Sequence, residues 1–194
     1  NKLASMINLK PKELVLNEGN KCLCICPHPD DESIGMGGVL SLYPELFDVV
    51  LLSDGRKGIK DIPEDEVIKI REEEFKCAMD VAGIKNYSCL KAQDKHLLDS
   101  FEIFKTLDLN IYDYIFVPNI IDQHPDHKAV SLLLKRFLDE GGMVKSNLQI
   151  CFYEVWSTLG LVNAYVDVSG VIDSKKTMIG CYKSQIAQKD YEYH

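Results

Sequence analysis

No apolar run in this 194-residue chain is long enough to span a bilayer, and no signal-peptide pattern stands at its start. No basic stripe offsets the net charge of −8, which argues against a general nucleic-acid binder because nothing is available to neutralise a phosphate backbone. The lysines are interleaved with acids and read as a solvated surface. The seven cysteines are odd in number and lack CxxC spacing, so a disulfide framework and a cysteine-rich metal cluster are both unexpected. Free thiols point instead to a reducing, cytoplasmic compartment. The chain opens on Asn1 rather than Met, which implies a trimmed or processed start. No internal repeat, low-complexity tract or linker divides it. What is present, 46% hydrophobic and 27% charged residues, suits one globular domain over residues 1–194, with about the first 20 as an extension. Nothing marks an oligomer interface.

Hydrophobic patterning alternates strand and helix. Strands are expected at Lys21–Cys26, Phe47–Ser53, Tyr87–Leu90, Tyr112–Val117, Leu148–Val155 and Tyr165–Val168. Cys22, Cys24 and Cys26 share one face of the first, as small buried apolar side chains. Helices are expected at Ser33–Tyr43, Glu64–Ala82, Leu98–Asp108, Pro125–Leu138 and Asp173–Tyr182, with Gly83 closing the second and Gly141-Gly142 the fourth. Gly35, Gly37 and Gly38 permit close packing. This order implies an α/β, Rossmann-like three-layer fold with a mostly parallel sheet and helices on both faces. The glycines lack G-x-G-x-x-G spacing, and an acidic turn beside them would repel a pyrophosphate, so a dinucleotide site is not expected.

Two segments carry the chemistry. Cys26-Pro27-His28-Pro29-Asp30-Asp31-Glu32 and His124-Pro125-Asp126-His127 both follow strands, where open α/β sheets place their sites. Two imidazoles and a carboxylate suit zinc with one position left open for water. His28 and Asp31 are three apart, so a turn entering a helix presents both to one point, while Asp30 points elsewhere and is available as a base. Pro125 starts a helix, placing His124 near its cap and His127 in its first turn. One histidine should bind metal and the other serve as the acid, with Asp126 orienting an imidazole; spacing alone does not assign them. Arg71 reads first as a surface helix residue, Asp94 as a turn residue and Asp54-Gly55 as a tight turn. Trp156 follows a strand end, as a core or rim residue.

His28-Pro29-Asp30-Asp31-Glu32 with Gly37-Gly38, then Arg71-Glu72-Glu73-Glu74 with Ala78, then His124-Pro125-Asp126-His127, resembles the LmbE/PIG-L family of zinc-dependent N-acetylglucosamine deacetylases. Tyr153-Glu154-Val155-Trp156 and the segment from Lys176 through Tyr182-Lys183-Ser184-Gln185 are also similar, so the resemblance runs from about residue 21 to 188. It implies a hydrolase that deacetylates a small-molecule N-acetylglucosaminyl conjugate, with zinc as cofactor or another divalent ion such as Fe2+ in its place. It implies His28, Asp31 and His127 as metal ligands, Asp30 as general base, His124 as general acid and Asp126 tuning His124. Arg71 and Asp94 match positions that contact the sugar or its aglycone. Two departures stand out: Asp122 occupies the place where some relatives carry an oxyanion-steadying tyrosine, and the chain stops soon after Ser184-Gln185, where many relatives continue. Two other readings compete, a metal-dependent amidase of a thiol-sugar conjugate and a non-catalytic metal- or carbohydrate-binding module. Intact Asp30 and His124 argue against the module, since binding alone needs neither.

Overall fold

The computed structural model describes residues 10–188. In chain order its strands are β1 (Lys12–Glu13), β2 (Cys22–Cys26), β3 (Phe47–Ser53), β4 (Asn86–Ala92), β5 (Tyr114–Pro118), β6 (Gln149–Tyr153) and β7 (Ala164–Tyr165). The helices are α1 (Gly37–Leu42), α2 (Glu64–Ala82), α3 (Phe101–Phe104), α4 (Pro125–Asp139), α5 (Ile172–Gly180) and α6 (Lys183–Ile186).

Strand β2 explains the architecture. Every one of its side chains is buried, as a strand covered on both faces must be. Cys22, Cys24 and Cys26 pack on one face with Phe75, Ala78, Met79 and Met178, which belong to α2 and α5. Leu23 and Ile25 pack on the other with Phe101, Phe104, Val130 and Leu133, from α3 and α4. The result is three layers around a parallel sheet of order β4-β3-β2-β5-β6. Order reverses between β2 and β5, and a crevice at such a reversal, outside the strand C-termini, is where doubly wound folds bind ligands. Strands β1 and β7 form a separate parallel pair.

Helix α2 shows how sequence sets an element. Glu64, Asp65 and Glu66 sit in its first turn, where negative charge complements the helix dipole. Gly83 ends it at φ +77°, with Ile84 N–H reaching back to Met79 O at 3.0 Å. Its buried stripe comprises Val67, Arg71, Glu74, Phe75, Ala78, Met79 and Ala82. Two charged residues on a buried stripe demand partners, and both find them at the site.

Three expected elements differ. The helix expected over Ser33–Tyr43 begins as a wide π turn, Glu32–Met36, before α1. A Cβ at Gly35 would lie 2.4 Å from the Tyr153 ring, and one at Gly38 2.6 Å from Val168, so the glycines let this segment press against its neighbours. The helix expected over Leu98–Asp108 is a short turn at Leu97–Asp99 plus α3; Thr106 Oγ1 donates to Ile103 O at 2.7 Å, competing with the helical ladder. The strand expected over Tyr165–Val168 is limited to β7, because Asp167 turns the chain by accepting from Ser169 N–H at 2.9 Å.

Candidate active site

The loops after β2, β3, β4 and β5 meet above the sheet. After β2, Asp31 Oδ2 accepts from His28 N–H at 3.0 Å, closing the turn that the three-residue spacing predicts. The same oxygen lies 3.1 Å from His28 Nδ1 and 3.3 Å from His127 Nε2. After β5, Pro125 opens α4 and His124 caps it, its Nδ1 accepting from Asp126 N–H at 3.3 Å. With Nδ1 so used, the neutral ring carries its proton on Nε2.

Asp122 holds this second segment in place. It is fully buried, and its carboxylate accepts from His124 N–H at 2.8 Å, Trp156 N–H at 3.0 Å and Ser157 N–H at 3.1 Å. Its Oδ1 also lies 3.2 Å from His127 Nδ1. The residue that stands in place of a tyrosine is therefore an anchor for both histidines rather than a cavity group.

The donor set fits a metal ion. His28, His124 and His127 each offer a ring nitrogen, all within 4.8 Å of one another. His127 is completely buried, yet neither of its nitrogens makes an aligned hydrogen bond, although carboxylate oxygens stand within 3.3 Å of both. Ligands about 2.0–2.1 Å from a tetrahedral zinc stand about 3.3 Å apart, which matches the separations of Asp31 from both imidazoles. Burial opposes charge on His28 and His127. The carboxylates outweigh it, raising His28 through Asp126, Asp31 and Asp94, and His127 through Asp31 and Asp122. Burial likewise opposes charge on Asp31, but His127 and His28 hold it below the usual carboxylate range. The floor thus favours positive charge. A second cluster, His28 with Asp94 and Asp126, is also close. Its acids already accept from Lys57 and Lys95 N–H at 3.0 and 2.8 Å and face His28 Nε2 at 3.3 and 3.1 Å, which makes them hydrogen-bonded supports for that ring. The Asp126 carboxylate consequently bonds His28 and acts on His124 through its charge, while its backbone N–H is what His124 Nδ1 accepts from.

Asp30 has the strained backbone of the site. Its φ is +122°, in the region L-residues avoid, and its N–H donates to Glu32 Oε2 at 3.2 Å. Arg71 is buried, lies 3.3 Å from Asp30 Oδ2 and donates to Pro29 O. Glu74 pairs with Arg71 at 3.3 Å and accepts from Ser184 N–H and Oγ–H, each at 2.7 Å. Burial pushes the Asp30 carboxyl up to about 7, against the pull of Arg71. Burial pushes His124 down, helped by the charges of His28 and His127.

A cavity of about 250 Å³ opens on this floor. His28, Asp30, Asp31, Arg71, Asp94 and His124 line it; Asp126 and His127 do not. Trp156 reaches its edge. Sequence reasoning missed the parts played by Asp122, Glu32 and Glu74. Glu32 stood inside the first motif, and its buried carboxylate takes hydrogen bonds from Ser33 and Tyr182 hydroxyls at 2.6 Å. For Glu74 the available signal was an acid three residues from Arg71 on the apolar stripe of α2.

The family model described as PIG-L, GlcNAc-PI de-N-acetylase, matches residues 23–138. Diacetylchitobiose deacetylase of Thermococcus kodakarensis is 28% identical over 215 residues, spanning 98% of this chain and 79% of that protein. The structure of N,N'-diacetylchitobiose deacetylase from Pyrococcus horikoshii superposes with a TM-score of 0.68 at 24% identity, over 87% of this chain and 71% of that one. A conserved protein of Thermus thermophilus gives 0.66 at 24% identity, over 88% and 82%. These two structures share the α/β fold.

Proposed function

The chain belongs to the PIG-L family of GlcNAc-PI de-N-acetylases, and from that premise we propose that it hydrolyses the acetamide of an N-acetylglucosaminyl conjugate. The observation that carries this reading is the convergence of His28, Asp31 and His124 on one cavity floor, with His127 directly behind them and a strained Asp30 beside them. The 28% identity to a diacetylchitobiose deacetylase over nearly the whole chain supports the same chemistry.

His28, Asp31 and His127 would hold zinc, which when bound polarises the amide carbonyl and lowers the pKa of water toward about 7. The orphaned His127 nitrogens and the carboxylate-rich floor support that assignment, and Fe2+ suits the same donors. Asp94 and Asp126 orient His28, and Asp122 orients His127. Asp30 accepts the proton of the attacking water, and Arg71 fixes its carboxylate. His124 Nε2 delivers a proton to the departing amine, for which the ring must first take up a proton against burial and the charges of His28 and His127. Water thus adds across the C–N bond, its hydroxyl going to the acyl carbon and its proton to nitrogen. Arg71 and Asp94, as cavity-lining groups, also meet the sugar.

One catalytic domain over 1–194 accommodates this reading, with β1 tying part of the N-terminal extension to β7. No helix among the described residues is long and apolar enough to cross a membrane. The seven unbridged cysteines support a cytoplasmic setting. The test is to measure bound metal, then amine release from N-acetylglucosaminides by wild type and Asp30→Ala. Bound zinc with activity only in the wild type is expected. Metal-free protein, or equal rates, would sink the proposal.

A further inference from the structure

A backbone angle such as the φ of +122° at Asp30 persists only where its surroundings over-determine it. Two buried groups supply that restraint. Glu32 is fully buried, and its Oε2 accepts from the Asp30 N–H at 3.2 Å. Arg71 holds the other end of the residue, standing 3.3 Å from Asp30 Oδ2.

Both groups lead to one side chain. Tyr182 OH donates to Glu32 Oε1 at 2.6 Å, and the Arg71 guanidinium lies 5.4 Å from the centre of the Tyr182 ring, within cation–π range. Tyr182 is 1% exposed and does not line the cavity, so it acts on the site only through other residues. It stands between α5 and α6, far from Asp30 in sequence. Two residues further on, Ser184 donates to Glu74, the second partner of Arg71. Burial and the charge of Glu32 hold the Tyr182 phenol well above its usual pKa, so its proton remains available to the carboxylate. A hydroxyl bonded to an ionised acceptor in this way makes a strong link.

We propose that Tyr182 is a positioning residue for the general base, holding the Asp30 backbone through Glu32 and the Asp30 carboxylate through Arg71. This rests on the deacetylase reading above and adds to it a residue outside the cavity. A base must be aimed within hydrogen-bond reach of the proton it takes, and a misplacement of about 1 Å can cost about 10²-fold in rate. The test compares zinc-loaded wild type with Tyr182→Phe, which removes the hydroxyl and keeps the ring, and with Tyr112→Phe. Tyr112 is also buried and donates to Asp48 at 2.7 Å, at the opposite end of the sheet. On an N-acetylglucosaminide, Tyr182→Phe should lower kcat by at least about tenfold with KM and zinc content unchanged. Tyr112→Phe should keep the wild-type kcat. In an Asp30→Asn background Tyr182→Phe should cost nothing further, because its effect passes through Asp30. A fall below tenfold, a fall shared by Tyr112→Phe, or a further fall in the Asp30→Asn background overturns the proposal while leaving the deacetylase reading intact. Should Tyr182→Phe not fold, Glu32→Gln carries the same expectations: Asp30 N–H and the hydroxyls use different oxygens of Glu32, so an amide removes one acceptor whichever way it turns. Zinc-loaded wild type that releases no amine counts against the deacetylase reading. Crystal structures of wild type and Tyr182→Phe then decide the positioning role, with the Asp30 turn or its contact to Arg71 expected to shift in the variant; an unchanged turn and contact overturn it.

Discussion

The floor and the mouth of one cavity are built on opposite plans. At the floor and directly behind it, His28, Asp31, Asp122, Asp126 and His127 are packed so closely that each stands within 3.3 Å of another ionisable partner. At the mouth, Lys60 and Lys95 are exposed and neither forms a close ion pair with a described residue, although the charge of Lys95 acts on Asp94. Buried charges require partners because desolvation penalises them strongly, whereas exposed charges stand alone at little cost. The floor is consequently rigid and the mouth open to solvent, and perturbing each should have different consequences.

Metal removal tests the floor most severely. Exhaustive chelation should abolish amine release, and added zinc should restore it; full activity in the chelated protein would contradict the ligand assignment. Next comes the ion-pair chain behind Asp30. Replacing Arg71 with Met leaves Asp30 and Glu74 buried without their cation and should destabilise the fold by about 3 kcal/mol in urea unfolding. A loss below about 1 kcal/mol would mean that Arg71 serves the substrate rather than the protein. A smaller effect is expected one step out from the metal. Asp122→Asn should lower zinc affinity about 10–100-fold, measured by competition with a chelator, because His127 loses the carboxylate that orients it. At the mouth, Lys60→Gln should shift unfolding free energy by no more than about 0.5 kcal/mol. A larger loss there would show that the mouth shares the floor's structural duty.

Much of the layout was legible because it is local. Alternation placed Cys22, Cys24 and Cys26 on one face, and spacing brought His28 and Asp31 to one point. Pro125 predicted the helix start that seats His124 and His127. What escaped depends on contacts distant in sequence. Arg71 looked like a surface residue until α2 packed it against the Asp30 turn. Asp122 looked like a missing tyrosine, yet its role is set by Trp156 and Ser157, whose amides only the folded chain delivers. The glycines announced close packing, but not the π turn at Glu32–Met36 or that Gly35 within it would meet Tyr153.

The central claim is that Asp30 works as a base beside a metal held by its neighbours. The direct measurement is kcat for amine release by zinc-loaded Asp30→Asn against wild type, with bound metal quantified in the same samples. The account predicts equal metal content and a fall of about 10³-fold, within the range general acid-base catalysis supplies. Equal rates at equal metal content would contradict it.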